Sequence, residues 1–319
     1  MQFLKNVLAT IVGLFLFCLL FFFIIVMIGV AAGSSNEDIV QVNDNSVIEL
    51  NLEKVKDDYA GKFTYTDFRM LDNEPQNGLV DVLNAINAAK EDSRIKGISI
   101  TNSTAMLGMA QSKALRDKLE DFKKSGKWVV AYGDSYTQTD YYLSSVADTV
   151  YLNPVGEMEF KGLSSEVMFF KDFQEKTGIK MEVIRHGKYK SAVEPFLSNE
   201  MSPANREQLT ALLNSIWGSV AADIAKSRKT SVAALNNIAE NLSARTPELA
   251  LQNKLIDKIG YEDEYKNGIR KALKIKKDEE YNQVDILDYV KSASIQNLLS
   301  DATDRIAIVY AQGEIMPGK

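Results

Sequence analysis

Few residue types in this chain can attack a carbonyl, move a proton or hold a metal. There is one histidine, His186, and one cysteine, Cys18, with no HExxH and no CxxC, so neither a His-rich metal site nor a thiol redox pair is expected. That leaves lysine as the base worth weighing. The stretch RHGKYKSAVEPFLSNEMSP, residues 185–203, sets Lys190 beside Tyr189, Ala192, Val193, Pro195 and Phe196, with Ser191 next to it. A lysine acts as a general base only with a neutral amine, which requires desolvation. The expectation is that these apolar neighbours wall the Lys190 amine and that the Ser191 hydroxyl orients it. Most lysines are solvated surface charges, and this chemistry does not choose Lys190 over Lys188.

The choice comes from a resemblance. GKYKSAVEPF, residues 187–196, followed by MSPANRE, residues 201–207, resembles the lysine segment of the signal peptide peptidase A (protease IV) family in its long, duplicated form. The second lysine of that run is the family's general base in a Ser-Lys dyad, which puts the role on Lys190. The likeness is dense from Lys188 to Arg206. It is looser in the apolar N-terminus, from Tyr132 to Pro154 and from Leu249 to Gly260. The resemblance implies a Clp protease/crotonase-like α/β fold of repeated β-β-α units, no cofactor, and a ring-like homo-oligomer, a tetramer.

The rest of the catalytic apparatus departs from the family's pattern. Its nucleophile lies in a phrase like Gly-Asp-x-Ala-Ala-Ser-Gly-Gly-Tyr-Tyr in the second repeat. Here residues 133–142 read Gly-Asp-Ser-Tyr-Thr-Gln-Thr-Asp-Tyr-Tyr, so Gln138 stands in the serine's place and Thr139 and Asp140 replace the glycines. A glutamine cannot attack a carbonyl. Ser135 is three positions early. The oxyanion loop Asn-Ser-Pro-Gly-Gly is matched by Asn102-Ser103-Thr104-Ala105-Met106, lacking the glycines that let backbone amides approach an oxyanion. The chain is therefore expected to supply the base, with the nucleophile beyond residue 319 and little activity alone.

The elements that must position Lys190 follow from periodicity. Ser46 to Leu50, Ile95 to Ile100, Trp128 to Tyr132 and Thr149 to Leu152 read as short buried strands. Helical spacing predicts helices from about Gly78 to Ala89, Ala110 to Ser125 and Tyr141 to Ala147. That alternation implies parallel pairing with right-handed crossovers, an α/β class. Next, Ser164 to Thr177 is predicted helical and Ile179 to Ile184 a strand that delivers the chain to Lys190 at its end, the usual place for active groups in such sheets. Ser202-Pro203 opens a long helix with a stripe of Leu209, Leu212, Leu213, Ile216, Val220 and Ile224. Thr246-Pro247 opens another, running into Leu255–Gly260.

At the N-terminus, Asn6 to Asn36 carries no charge, and Val7 to Ala32 would be roughly 39 Å long as a helix at about 1.5 Å per residue. An uncleaved anchor is expected, although Val30-Ala31-Ala32 resembles a cleavage site. Lys5 before the span and Glu37, Asp38 and Asp44 after it place the bulk of the chain on the extracytoplasmic, periplasmic side of the inner (plasma) membrane. The division expected is residues 1–36 for tail and anchor, 37–300 for the first repeat, and 301–319 for the start of a second. In that last part Asp304–Tyr310 restates the polar lead and strand of Asn45–Leu50.

With 319 residues, 45% of them hydrophobic, the chain can bury a sizeable core, and a net charge of −6 with no basic helical run excludes nucleic acid as the expected main partner. The resemblance makes it part of a membrane serine endopeptidase acting on hydrophobic, already cleaved signal peptides. The alternatives are a non-catalytic membrane scaffold or truncated inactive fragment, and, by fold likeness alone, an acyl-CoA enzyme, which has no use for a span or a lysine base.

Overall fold

The structure is a computed structural model that describes residues 2–33, 41–55, 78–102, 104–298 and 309. The expected second-repeat start at 301–319, apart from Val309, lies outside the described residues, as does the stretch 56–77.

Two units are present, residues 1–41 and 42–319. The first holds helix α1, Gln2–Gly33. Its Lys5–Met27 stretch, 23 residues of mean hydropathy 3.0 and none of it buried, is long and apolar enough to cross a bilayer or to serve as a signal sequence.

The second unit is a parallel-sheet α/β fold. Its strands are β1 (Ser46–Asn51), β2 (Ile95–Asn102), β3 (Trp128–Gly133), β4 (Thr149–Leu152), β5 (Lys258–Ile259) and β6 (Gln283–Asp285). They lie in the order β5-β4-β3-β2-β1-β6, every pair parallel. Between them run α2 (Leu79–Glu91), α3 (Met109–Lys123) and α4 (Gln138–Ser144); α5 (Lys171–Thr177), α6 (Pro203–Arg228), α7 (Val232–Glu240) and α8 (Pro247–Gln252) follow β4, and α9 (Glu262–Leu273) and α10 (Ile286–Leu298) complete the order. Of the second strand in a β-β-α unit, one bridge outside the main sheet is seen among the described residues, Tyr136 with Met158.

The strands are apolar on both faces because helices cover both: Ile48, Leu50, Ile98, Ile100, Val129, Ala131, Val150 and Leu152 are fully buried. α2 turns its apolar stripe of Val82, Ala85, Ile86 and Ala89 inward. On the other side a cluster of Tyr132, Tyr151, Tyr265 and Ile269 seats α9.

Four expectations change. α4 begins at Gln138, three residues earlier than its apolar spacing suggests, because Thr137 caps it and Asp140 closes a capping box. Ser164 to Phe170 is not helical: the Phe170 amide donates to the Pro195 carbonyl (2.7 Å), in the 3-10 turn Glu194–Phe196, and only Lys171–Thr177 winds, ending at Gly178 with φ +74°. Ile179 to Ile184 is not a strand, since no neighbouring strand offers it a ladder; the Met181 amide donates instead to Gln174 Oε1 (2.8 Å). Finally, Leu255–Gly260 is not the end of a helix. It contains edge strand β5, Lys258–Ile259, with the Asp257 carboxylate accepting from the Val150 amide (2.8 Å) and from Arg228 (2.9 Å).

Candidate active site

Residues 161–202 leave the sheet as an arm and return into α6. The arm is held by its own polar bonds. Gln174 bridges it, donating to the Phe196 carbonyl (2.8 Å) while accepting from Met181, and the Phe170 and Phe196 rings stack at 5.7 Å. Gly187 adopts φ +110°, which a side chain would strain, and the turn closes with the Lys190 amide donating to its carbonyl (3.3 Å).

The return to α6 is fastened by Glu194, 4% exposed. Its carboxylate accepts from Asn205 Nδ2 (2.7 Å) and from Ser202, which in turn caps α6 by accepting from the Asn205 amide (3.3 Å). The bonds from Ser202, then that from Asn205, hold the Glu194 carboxyl below the usual carboxylate range against the opposing effect of burial. An anion at the start of a 26-residue helix is also favoured by the helix dipole. Nothing in the sequence pattern singled out Glu194, and only the folded ring of three side chains shows what it does.

Lys190 sits on this frame, exposed. The expected apolar wall is not formed: Tyr189 is 47% exposed, Ala192 is exposed, and Val193, Pro195 and Phe196 are only half-buried. The physical reason is that a one-layer arm has no second surface to close over the amine. The Ser191 hydroxyl makes no hydrogen bond to Lys190 among the described residues. A cavity of about 490 Å³ nevertheless opens there, lined by Ile184, His186, Tyr189, Lys190, Ser191 and Val193 among others.

The two lysines that sequence chemistry could not separate now differ. The Lys188 amine lies 3.9 Å from the Glu207 carboxylate and 5.0 Å from the centre of the Tyr189 ring. The Lys190 amine has no hydrogen bond or ion pair among the described residues.

In the body, two of the positions set against the family's nucleophile and oxyanion loop, Gln138 and Ala105, are engaged in hydrogen bonds. Gln138 heads α4, and its amide clasps the start of the arm, accepting from the Gly162 amide (2.9 Å) and the Lys161 amide (3.2 Å) while donating to the Gly162 carbonyl (2.9 Å). The buried Asp140 carboxylate accepts from the Ala105 amide (2.8 Å), the donor of the oxyanion-loop counterpart, and from the Thr137 hydroxyl (2.6 Å). Sequence reading found these substitutions but not the closure; the Thr137-x-x-Asp140 capping pattern was the available signal. Ser135 and His186 are exposed, and neither joins Lys190 in a hydrogen-bonded dyad.

A parallel α/β sheet with a lysine-bearing arm between its fourth strand and a long helix defines the class, and the comparisons agree with it. Residues 121–276, which span β3, the arm and α9, match peptidase family S49. Protease 4 of Salmonella typhi is 30% identical over 258 residues, 78% of this chain and 41% of that protein. Protease 4 of Haemophilus influenzae is 28% identical over 251 residues, 75% of this chain and 40% of that protein. The chloroplastic serine protease SPPA of Arabidopsis thaliana is 28% identical over 227 residues, 71% of this chain and 33% of that protein. The chain thus spans about two fifths of the length of the two bacterial relatives. The family resemblance read from the lysine segment is borne out.

Proposed function

We propose that this chain supplies the general base of a membrane-anchored Ser-Lys peptidase that degrades cleaved signal peptides. The observation that carries the reading is the free amine of Lys190, presented on an ordered arm within the family-matched residues while Lys188 is engaged by Glu207. Lys190 takes the proton of a serine hydroxyl as that oxygen attacks the peptide carbonyl, and returns a proton to the leaving amine. The serine comes from outside residues 1–319, because Gln138 and Asp140 close the counterpart positions in the body.

The same reading has the arm covered in the working assembly by another copy or a further repeat, in a homo-oligomer such as a tetramer. Ile179, Met181 and Ile184 are 60%, 46% and 104% exposed, and covering them would desolvate the neighbouring amine. α1 serves as an uncleaved anchor in the inner membrane, with residue 42 onward on the periplasmic side. Hydrophobic peptides suit these surfaces. A non-catalytic scaffold is the second reading, favoured by the closure at Gln138 and Asp140.

The test is hydrolysis of a synthetic signal peptide by the full-length protein. Lys190→Ala and Lys190→Arg are expected to lower kcat by about 10²–10⁴-fold with folding unchanged, since arginine does not give up its proton, and Lys188→Ala to cost little. Retained activity in Lys190→Arg would overturn the assignment. Turnover by residues 1–319 alone, abolished by Ser135→Ala, would overturn the external serine.

A further inference from the structure

At the free edge of the sheet, a cavity of about 660 Å³ opens between edge strand β5, helix α9 and the turn that follows it. Four cations line it, Lys258, Arg270, Lys271 and Lys277, against a single carboxylate, Glu264. That concentration of positive charge stands out in a chain of net charge −6. Glu264 does little to neutralise it, because its Oε2 is turned to the start of α9, where it accepts from the Tyr261 amide (3.1 Å).

Nearby carboxylates are engaged by lysines outside the cavity: Glu262 by Lys266 (2.8 Å) and Glu279 by Lys276 (3.6 Å). Among the described residues the four lining cations form no salt bridge. Their hydrogen-bond partners are neutral. Lys258 donates to the Tyr151 hydroxyl (3.0 Å) and lies 5.0 Å from that ring's centre. Arg270 donates to the Glu279 carbonyl (2.8 Å) and to Asn267 Oδ1 (3.0 Å), with its guanidinium 5.8 Å from the centre of the Tyr281 ring. These contacts fix both side chains without cancelling their charge.

The floor is built as well. Tyr151, 3% exposed, lies against α9 only because residue 268 is glycine: a Cβ there would come within 2.4 Å of the Tyr151 hydroxyl. Gly268 thereby leaves room for the hydroxyl that steadies Lys258. Ile259 and Ile275 add apolar wall. A concave site with an apolar floor, one held guanidinium and three ammonium groups suits a tetrahedral oxyanion, whose several acceptor oxygens can each take a charge-assisted hydrogen bond.

We propose that this cavity is a binding site for a phosphate-bearing anion, held by Lys258, Arg270, Lys271 and Lys277. Two sources carry such a phosphate, an anionic phospholipid headgroup and a soluble phosphate compound, and they share the chemistry read by the site. The site is separate from Lys190 and stands whether or not the chain is a peptidase.

The experiment uses the full chain in a neutral detergent at fixed ionic strength. Inorganic pyrophosphate is titrated by calorimetry, and retention of phosphatidylglycerol or phosphatidylcholine is counted by native mass spectrometry. Pyrophosphate, phosphatidylglycerol or both are expected to bind at one site, with phosphatidylcholine weaker. The double variant Lys271→Gln/Lys277→Gln is expected to weaken that binding about tenfold. Both side chains are exposed and unpaired, so the melting temperature should not move; Lys258→Gln provides a second loss on an independent element. Binding of pyrophosphate alone assigns a soluble phosphate, and of phosphatidylglycerol alone a lipid headgroup. Binding of neither probe, equal retention of the two lipids, or undiminished binding by the double variant would overturn the proposal.

Discussion

The sheet body and the Lys190 arm solve the same problem differently. In the body, a buried cation is held by several acceptors at once. Arg116, with 0% exposure, donates to the Tyr142 carbonyl, to Ser145 Oγ (2.8 Å), to the Asp223 carbonyl (3.0 Å) and to Ser227 Oγ (2.5 Å), and so ties α3 to α4 and α6. In the arm, large apolar side chains such as Met168 (74% exposed) and Ile184 are exposed, and the Lys190 amine has no hydrogen bond or ion pair among the described residues. The body is finished as a folding unit. The arm is ordered locally but gains a desolvated lysine only from a surface beyond itself. A region's stability and its readiness for chemistry are therefore separable here, and substitutions should separate them.

The largest stability effect is expected at the body's buried cation. Arg116→Ala removes a guanidinium that four acceptors face and should lower unfolding stability by about 3 kcal/mol or more in urea denaturation. Lys190→Ala, on the arm, should stay within about 0.5 kcal/mol of the parent in the same measurement. Equal losses at the two sites would break the contrast.

A middle effect is expected at Asp140. Replacing it with alanine leaves the half-buried Ala105 amide and the Thr137 cap without their acceptor, at a cost of about 1–3 kcal/mol by thermal unfolding. Hydrogen exchange at the Ala105 amide should accelerate as well. Unchanged exchange there would show that the loop, and not the carboxylate, closes the oxyanion-loop counterpart.

The smallest effect belongs to Glu194 and depends on pH. Its carboxyl titrates below the ordinary 4.5 in the fold and returns toward it on unfolding, so below 4.5 the unfolded chain binds the extra proton first. The stabilisation is thus complete above pH 4.5 and fades as pH falls through the lowered folded value. Glu194→Gln should flatten this dependence, a change of about 1 kcal/mol or less, seen as a smaller drop in melting temperature between pH 6 and pH 3. A parent and variant with the same acid dependence would remove Glu194 from the account of how Lys190 is held.

Much of the body was legible in the sequence because its signals are local. The apolar runs of β1 to β4, the stripe of α2 and the Ser202-Pro203 and Thr246-Pro247 helix starts each encode structure within a few residues. The arm was misread where a local pattern competed with a distant partner. Ile179, Met181 and Val183 alternate as a strand would, yet a strand needs a neighbouring strand, and the Met181 amide donates to the Gln174 side chain instead. Helical composition from Ser164 likewise yielded to the pull of the Pro195 carbonyl on the Phe170 amide.

For function, the sequence by itself determined the family resemblance, the lysine segment and a glutamine at position 138, because these depend on residue identity and order alone. Only the tertiary structure decided which groups are engaged. It put Lys188 against Glu207 and left Lys190 free, set Asp140 on the Ala105 amide, joined Glu194 to Ser202 and Asn205, and gathered four cations around Tyr151. The physical reason is that hydrogen bonding, charge pairing and desolvation depend on distances between residues far apart in the chain, such as the 107 positions from Tyr151 to Lys258, which no local pattern records.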